Sequence, residues 1–208
     1  TNFFIISLLA ISLVFNPLET FGLEEQAFLA GGCFWCLEHD LEGLAGVISV
    51  ESGYSGGNTL NPTYKEVSSE KTGHQESVRV VFDPEKISYE TLLRSYWRNI
   101  DPFDGNGQFC DRGDSYRPVI FTLDENQDSY VKDSFRQASY ELNKPIGDLK
   151  VEAKKASRFW IAEDYHQNFA SQNSFKYNFY RYSCGRDARL DEVWGETARS
   201  NKSWEPKA

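Results

Sequence analysis

A short apolar segment, a pair of glycines and a Cys-x-x-Cys motif follow one another early in the chain and constrain its fold strongly. Residues 27–30 read AFLA, and Gly31 and Gly32 separate them from Cys33 and Cys36. Leucines at helical spacing then run from residue 37 to residue 44, with acidic residues between them. The pattern predicts a strand, a tight turn and a helix whose N-terminus carries Cys33.

Further along the chain, segments typical of strands alternate with segments typical of helices. The strand candidates are residues 47–52, 76–82, 118–123 and 151–153, and helix candidates begin at Ser88 and Asp124. Two glycine-rich loops are expected at residues 53–73 and 104–113, and an irregular tail that wraps the body is expected from residue 173. The alternation indicates an α/β sandwich.

The chain is expected to hold one folded domain. An apolar run of 13 residues at 3–15 is too short for a bilayer-spanning helix, which needs roughly 20 residues. We expect residues 1–22 to be a signal peptide truncated at its start, residues 27–195 to be the domain and residues 196–208 to be a polar tail. Export to a periplasmic or extracellular compartment follows as the expectation, with a retained anchor or a cytoplasmic location as alternatives.

Charge and composition limit the classes of partner. The net charge of −9 argues against nucleic-acid binding, which needs a basic face to neutralise phosphates. We expect a monomer with no stable membrane contact once the leader is removed. The 15 Phe, 11 Tyr and 5 Trp residues exceed what packing usually needs, so some of them are expected to line a pocket.

Four cysteines, Cys33, Cys36, Cys110 and Cys184, carry the clearest chemical signal. One couple and two distant single residues do not match a structural zinc site, so no metal is expected. A Cys-x-x-Cys motif at a helix N-terminus typically lowers a thiol pKa and indicates a nucleophile or a redox couple. A purely structural role for the couple stays open at this point.

A thioredoxin-like oxidoreductase also carries Cys-x-x-Cys at the start of a helix. Here the intervening residues, Phe34 and Trp35, are large rings better suited to the walls of a pocket than to a docking surface. The glycine-rich loops also supply acids and phenols that thioredoxin chemistry does not need.

The acids and phenols in question are Tyr54, Glu76, Asp111 and Tyr116. Taken singly, each is more often a core tyrosine, a solvated strand residue or a turn residue than a catalytic group. The three histidines, at positions 39, 74 and 166, are likewise more often surface or hydrogen-bonded residues than catalysts, and their spacing is not that of metal ligands.

Six motifs in this order resemble the A-type peptide methionine sulfoxide reductase family and cover roughly residues 27–195. They are GCFWC at 32–36, SGYSGG at 52–57, NPTYKEV at 61–67, TGHQE at 72–76, FCDRGDSYR at 109–117 and AEDYHQ at 162–167. The fold expected with this resemblance is α+β or an α/β sandwich: a mixed sheet with a ferredoxin-like (split βαβ) core, irregular Gly-rich loops and a wrapping C-terminal tail. Residues 27–195 are then a single catalytic reductase domain.

The resemblance implies reduction of methionine S-sulfoxide in proteins and peptides, with Cys33 as the nucleophile that becomes a sulfenic acid. Phe34 and Trp35 then hold the S-methyl group of the substrate. Glu76 donates a proton to the sulfoxide oxygen, Tyr54 and Tyr116 hydrogen-bond the same oxygen, and Asp111 orients the surrounding polar groups. No cofactor is expected, because a thioredoxin-type dithiol supplies the electrons.

Three cysteines depart from the pattern of many relatives and leave the resolving thiol open. Cys36 stands where many members have glycine, and it lies near Cys33 by construction, so it is the favoured partner. Cys184 precedes a glycine in the tail and is the second candidate, whereas Cys110 is expected to have no role. A general thiol-disulfide oxidoreductase using Cys33 and Cys36, or a redox-binding protein without catalysis on the same scaffold, are the alternatives.

Overall fold

The computed structural model describes residues 23–204. The predicted leader at 1–22 and the last four residues of the predicted polar tail lie outside the described residues. Within the described part of the chain, no helix has both the length and the apolar character needed to cross a bilayer.

Strands and helices alternate along the described chain much as the sequence predicts. The strands are β1 (Glu25–Ala30), β2 (Val47–Ser55), β3 (Gln75–Phe82), β4 (Gly107–Gln108), β5 (Asp111–Arg112), β6 (Val119–Thr122), β7 (Glu152–Lys155) and β8 (Trp160–Ile161). The helices are α1 (Phe34–Glu42), α2 (Tyr64–Val67), α3 (Tyr89–Trp97), α4 (Glu125–Leu142), α5 (Phe169–Gln172), α6 (Ser174–Ser183) and α7 (Arg186–Trp194).

The main sheet has a ferredoxin-like core. Its strand order over residues 23–204 is β7-β6-β1-β3-β2-β8. β3 lies antiparallel between β1 and β2, so the β1-α1-β2 unit is split by a later strand, and β6 closes the core on the other side of β1. Because β7 is parallel to β6, the sheet is mixed. The predicted α+β class with a split βαβ core is confirmed.

Alternation along β1 divides the apolar residues between two faces of the sheet. Ala27 and Leu29 belong to the large core beneath α1 and α3, whereas Phe28 and Ala30 belong to a smaller cluster on the opposite face. The same alternation in β2 and β3 puts Tyr54 and Glu76, which are directly paired across the two strands, on the helix-covered face.

The turn between β1 and α1 depends on Gly32. Its φ angle is +83°, in the region that favours glycine, and a Cβ atom here meets the Cβ of Gln108 at 2.7 Å. A side chain at this position therefore displaces either the turn or the β4 strand behind it.

The helix and strand predictions hold in detail at several points. Ser88 caps α3 by accepting the amide of Thr91 at 3.2 Å, and Asp124 caps α4 by accepting the amide of Gln127 at 2.8 Å. The predicted irregular tail is wrong: residues 174–194 form α6 and α7. The predicted loop at 53–73 is interrupted by α2, whose cap is a reciprocal pair between Thr63 and Glu66.

A buried ion pair connects α3, α4 and the C-terminal segment. The guanidinium of Arg98 donates to both carboxylate oxygens of Glu141 at 3.0 and 2.6 Å, and both side chains are buried. The same guanidinium donates to the backbone carbonyls of Ser200, Lys202 and Ser203. One buried guanidinium thus connects α4 with three carbonyls of the C-terminal segment.

Replacing Glu141 by alanine is expected to destabilise the protein by about 3 to 5 kcal/mol, because the change leaves a buried arginine without its counter-ion. The measurement is urea unfolding followed by tryptophan fluorescence. Glu192→Ala, on the exposed side of α7, is the control and is expected to change the free energy of unfolding by less than about 1 kcal/mol. Equal effects of the two substitutions contradict the tethering role of the buried pair.

Candidate active site

The N-terminus of helix α1 is capped by a side chain from strand β3. Cys33 occupies the capping position, and its carbonyl accepts the amide of Cys36 at 3.1 Å. The first helical amide, that of Phe34, donates to a carboxyl oxygen of Glu76 at 3.1 Å. Because Glu76 is the second residue of β3 and points to the helix-covered face, this bond fixes the predicted nucleophile relative to the predicted acid.

A cavity of about 70 Å³ opens at this point. It is lined by Cys33, Phe34, Trp35, Tyr64, Glu76, Asp111, Tyr116 and Tyr180. Six of the sequence-predicted site residues therefore meet around one small space. Two lining residues, Tyr64 and Tyr180, were not predicted as site residues.

The predicted low pKa of Cys33 is wrong for the resting protein. Burial raises the pKa of the Cys33 thiol well above its usual value, and the hydrogen bond to Cys36 and the nearby carboxyl groups of Glu76 and Asp111 act in the same direction. The helix N-terminus is not sufficient to offset these effects. Cys33 is thus a protonated thiol at neutral pH.

Cys36 has the opposite tendency. The hydrogen bond from Cys33 lowers the pKa of the Cys36 thiol, although burial opposes this, and the positive charges of Arg186 and Arg181 also lower it. Cys36 is buried against Phe169 and Tyr177, in a cluster that covers the outer side of α1. The two thiols are therefore in direct contact, and both are shielded from solvent.

Glu76 is a protonated acid at neutral pH. Burial raises its pKa to about 8 and is opposed by the hydrogen bond from the Phe34 amide. The negative charge of Asp111 raises the pKa further, and a hydrogen bond with Tyr116 lowers it. A carboxyl group in this state can donate a proton to an oxygen atom placed in the cavity.

Three tyrosines surround Glu76, and they do so in different ways. Tyr116 and Tyr64 line the cavity and share a hydrogen bond between their phenol groups. Tyr54 is fully buried, lies outside the described lining and donates to a carboxylate oxygen of Glu163 at 2.8 Å. The other carboxylate oxygen of Glu163 accepts the amide of Tyr64 at 2.9 Å, so Glu163 connects the two rings.

The aromatic wall of the cavity is fixed by His166. The indole Nε1 of Trp35 donates to His166 Nδ1 at 3.0 Å, so Nε2 of the imidazole carries the proton. Burial lowers the pKa of His166, which keeps the ring neutral and able to accept this bond. The imidazole also packs against the rings of Phe34 and Tyr64, with centroid distances of 4.8 and 4.5 Å, and Phe169 stacks on Trp35 at 3.6 Å.

Asp111 occupies the opposite side of the cavity. Its carboxylate accepts the backbone amide of Cys33 and the hydroxyl of Tyr180, the latter at 2.6 Å. Burial raises the pKa of Asp111, and the bond from Tyr180 and the charge of Arg186 oppose that effect. Asp111 thus connects the backbone of the predicted nucleophile to Tyr180 of α6.

The sequence does not predict the bond that Cys110 makes. Cys110 forms a disulfide with Cys184, and their Cα atoms are 4.9 Å apart. Cys184, predicted as a candidate resolving thiol, is therefore not a free thiol in this structure, whereas Cys33 and Cys36 are. The two sulfur atoms lie within 4.8 Å of an Asp111 carboxylate oxygen, but sulfurs joined in a disulfide are not the thiolates that bind metal ions.

Sequence reasoning missed Tyr64, Glu163, His166 and Tyr180. The first three lie in motifs that carried the resemblance, so their place in the sequence was a usable signal. Tyr180 lies in the segment taken for an irregular tail, and only the helical geometry of α6 brings it to the cavity.

Comparisons with known proteins agree with this geometry. The sequence model of the family described as peptide methionine sulfoxide reductase matches residues 25–198. A Caulobacter vibrioides protein named peptide methionine sulfoxide reductase MsrA 2 is 50% identical over 171 residues, which are 82% of this chain and 86% of the relative. The chain belongs to the A-type peptide methionine sulfoxide reductase family. Membership confirms the predicted class of activity, thiol-dependent reduction of peptide methionine sulfoxide.

Solved structures of other proteins share the fold. Methionine sulfoxide reductase A of Corynebacterium diphtheriae is 29% identical with a TM-score of 0.66, covering 73% of this chain and 76% of that chain. Reduced Mxr1 from Saccharomyces cerevisiae is 23% identical with a TM-score of 0.68, covering 73% and 86%. Mxr1 in complex with Trx2 is 17% identical with a TM-score of 0.50, covering 71% and 85%. These likenesses agree with the α+β fold described above.

Proposed function

We propose that this reductase attacks the sulfur of methionine S-sulfoxide with Cys33 and protonates the sulfoxide oxygen with Glu76. The observation that supports the proposal is the cavity in which a thiol, a protonated carboxyl group and three phenols converge beside two large rings. A general disulfide reductase does not need a protonated acid beside its nucleophile, whereas an oxygen that must leave as water does.

The dimensions of the cavity suit the end of one side chain. A volume of about 70 Å³ has room for only a few groups the size of a water molecule. Phe34 and Trp35 provide an apolar surface for the S-methyl group, and Tyr64, Glu76 and Tyr116 provide hydrogen-bond donors for the oxygen. The rest of the peptide remains outside, which is consistent with peptides and oxidised proteins as substrates.

The first step transfers the oxygen to Cys33. The Cys33 sulfur attacks the sulfoxide sulfur as the oxygen receives the proton of Glu76, and the thiol proton of Cys33 restores the carboxyl group. The new bond between the two sulfur atoms then breaks as the hydroxyl group passes from the methionine sulfur to the Cys33 sulfur, so methionine is released and Cys33 becomes a sulfenic acid. Tyr64 shares a hydrogen bond with Tyr116, and each hydroxyl can donate its one proton to the oxygen when the shared bond is given up as the charge grows. On this geometry Tyr64 takes the role that the sequence predicted for Tyr54.

The second step forms a disulfide with Cys36. The sulfur of Cys36 attacks the sulfur of the Cys33 sulfenic acid, the oxygen leaves as water, and the Cys33–Cys36 disulfide remains. Two observations favour Cys36: its thiol is hydrogen-bonded to Cys33, and its pKa is lowered. Cys184 is bonded to Cys110 and has no thiol to offer in this state.

A thioredoxin-type dithiol then reduces the Cys33–Cys36 disulfide, so turnover needs no prosthetic cofactor. The solved complex of the fold relative Mxr1 with Trx2 supports a partner of this type. We further propose that the protein acts after export, as a monomer. The apolar run at residues 3–15 and a disulfide on the protein surface are both typical of proteins from oxidising compartments.

Cys33→Ser is expected to abolish reduction of a methionine S-sulfoxide peptide, because a serine hydroxyl is a much weaker nucleophile than the thiol. Wild-type protein with dithiothreitol as donor is expected to reduce the S epimer and to leave the R epimer unchanged, as followed by chromatography. Reduction of insulin disulfides is the parallel assay. Wild-type protein that reduces insulin but neither sulfoxide epimer contradicts the proposed function.

Glu76→Gln is expected to slow the first step by about 100-fold or more, because the amide keeps the bond to Phe34 but does not donate an acidic proton. In wild-type protein the active form is protonated Glu76, so the rate is expected to fall as pH rises through about 8. The measurement is the single-turnover rate of methionine formation without reductant between pH 6 and 10. A variant that is slow only in recycling by thioredoxin places Glu76 outside the chemistry.

The first disulfide formed is expected to join Cys33 and Cys36. Peptide mapping by mass spectrometry after one turnover without reductant identifies it, with Cys36→Ser and Cys184→Ser as comparison variants. Cys36→Ser is expected to stop at the sulfenic acid, trapped with dimedone, whereas Cys184→Ser still forms the 33–36 bond. A Cys33–Cys184 disulfide that also forms in the Cys36→Ser variant contradicts the role of Cys36 as the first partner of Cys33.

A further inference from the structure

The Cys110–Cys184 disulfide joins the two segments that meet at one edge of the cavity. Cys110 directly precedes Asp111, the first residue of β5, and Cys184 directly follows the last residue of α6. Tyr180 lies one helical turn before Cys184, and its hydroxyl bonds to Asp111. The covalent bond and the hydrogen bond therefore connect the same two segments, side by side.

The segment that carries Asp111 has little support of its own. β4 and β5 are two residues long each, and a short two-stranded hairpin is marginally stable by itself. Phe109, between these strands, has a φ angle of +56°, a conformation that is unfavourable for a residue with a side chain. Noncovalent contacts hold the hairpin to the body, among them the hydrogen bonds of buried Gln108 to Asp101 and Asp104 and the ion pair of Arg112 with Asp104. The disulfide adds a covalent link at the residue next to Asp111.

The segment that carries Tyr180 contacts the body along one side of the helix, where Tyr177 and Tyr180 pack beside Cys36 and Phe169. Tyr177 is the buried residue of α6, and the rings of Phe175, Phe179 and Tyr182 are exposed to solvent. Ion pairs of Arg181 hold one face of the helix. The disulfide is the covalent connection between the C-terminal end of this helix and the body that carries the cavity.

The position of Asp111 matters because of what it binds. Its carboxylate accepts the backbone amide of Cys33, so any displacement of Asp111 is transmitted to the residue that attacks the substrate. Misplacing a reacting group by even a fraction of an ångström lowers the rate of an attack that depends on alignment.

We propose that the Cys110–Cys184 disulfide is a positioning element for the first step, which holds Tyr180 and Asp111 against the Cys33 amide, so that opening the bond slows attack on the sulfoxide without unfolding the protein. This inference rests on the proposed function. It makes the activity depend on a second redox centre that neither gains nor loses electrons in each turnover.

The bond is accessible to a dithiol, since Cys110 is exposed and Cys184 is half-buried. Opening occurs by thiol–disulfide exchange: the bond between the two sulfurs breaks, two electrons and two protons pass to the cysteines, and the dithiol leaves as a disulfide. Protein in which Cys33 is a free thiol is then predicted to exist in two forms. The form with the Cys110–Cys184 disulfide closed attacks the sulfoxide quickly, and the form with that disulfide open attacks it slowly.

Tyr180→Phe tests the hydrogen bond, and Tyr182→Phe is its matched control on the exposed face of the same helix. Tyr180→Phe is expected to lower the single-turnover rate roughly 10-fold, because it removes a charge-assisted hydrogen bond from Asp111. Tyr182→Phe is expected to match the wild type. Combining Tyr180→Phe with Asp111→Asn is expected to be no slower than Asp111→Asn alone, because Tyr180 acts through Asp111.

The pH profile gives a second readout. The hydroxyl of Tyr180 lowers the pKa of Asp111, as do Arg186, Arg112 and the Cys33 amide, whereas Glu76 faces Asp111 across the cavity. The ionised carboxylate of Asp111 is the stronger acceptor for the Cys33 amide, so the single-turnover rate is expected to fall as pH drops through the pKa of Asp111. Losing the hydroxyl raises this pKa further, so this acid limb of the profile is expected to shift to higher pH in Tyr180→Phe. An unshifted limb contradicts the positioning role.

The disulfide is tested by the double variant Cys110→Ser/Cys184→Ser, assayed in one turnover without reductant. We expect a rate roughly 3- to 10-fold below that of the wild type with an unchanged far-ultraviolet spectrum. The double variant could instead react at the wild-type rate in one turnover and turn over normally with dithiothreitol, but be recycled slowly by thioredoxin. That result overturns the inference and makes the disulfide a relay for the reductant. Wild-type rates in every assay overturn it as well. Wild-type protein inactive on both epimers refutes the proposed function instead.

Discussion

The hydrogen bond between the amide of Phe34 and the carboxyl group of Glu76 is the contact on which the site depends. It joins the first turn of α1 to the start of β3, two segments separated by more than 40 residues. It sets the distance between the thiol and the acid, and it satisfies a helix amide that Cys33 leaves without a side-chain cap. Burial isolates this contact from water, and it also keeps the Cys33 thiol and the Glu76 carboxyl group protonated.

Much of the fold follows from the sequence because local signals and burial agree. The apolar alternation of β1 and β3, the caps at Ser88 and Asp124 and the glycine pair before Cys33 all correspond to observed elements. The segment after residue 173 does not show its helices so clearly. Three aromatic residues of α6 point to solvent, so its apolar residues do not follow the one-sided pattern of a core helix.

The sequence predicts which residues form the site better than it predicts their protonation states. A helix N-terminus and a Cys-x-x-Cys spacing lower a thiol pKa when water and positive charges are near, and at Cys33 burial and two carboxyl groups outweigh them. Which tyrosines line the cavity depends on the tertiary fold: Tyr64, Tyr116 and Tyr180 line it, whereas Tyr54 donates to Glu163 and is not among the lining residues. Neither effect is visible from a list of motif residues. The pairing of Cys110 with Cys184 needs the fold as well, since 74 residues separate them.

The small size of the cavity has a consequence for the proteins that the enzyme can repair. Because it admits only the end of a side chain, a methionine sulfoxide must extend fully out of its own chain to reach Cys33. A sulfoxide packed inside a native domain reaches the thiol only when that domain opens locally, with a free energy that differs from one region of a protein to another. The repair rate at a given methionine therefore reports the local stability around it, and damage that loosens a structure accelerates its own correction.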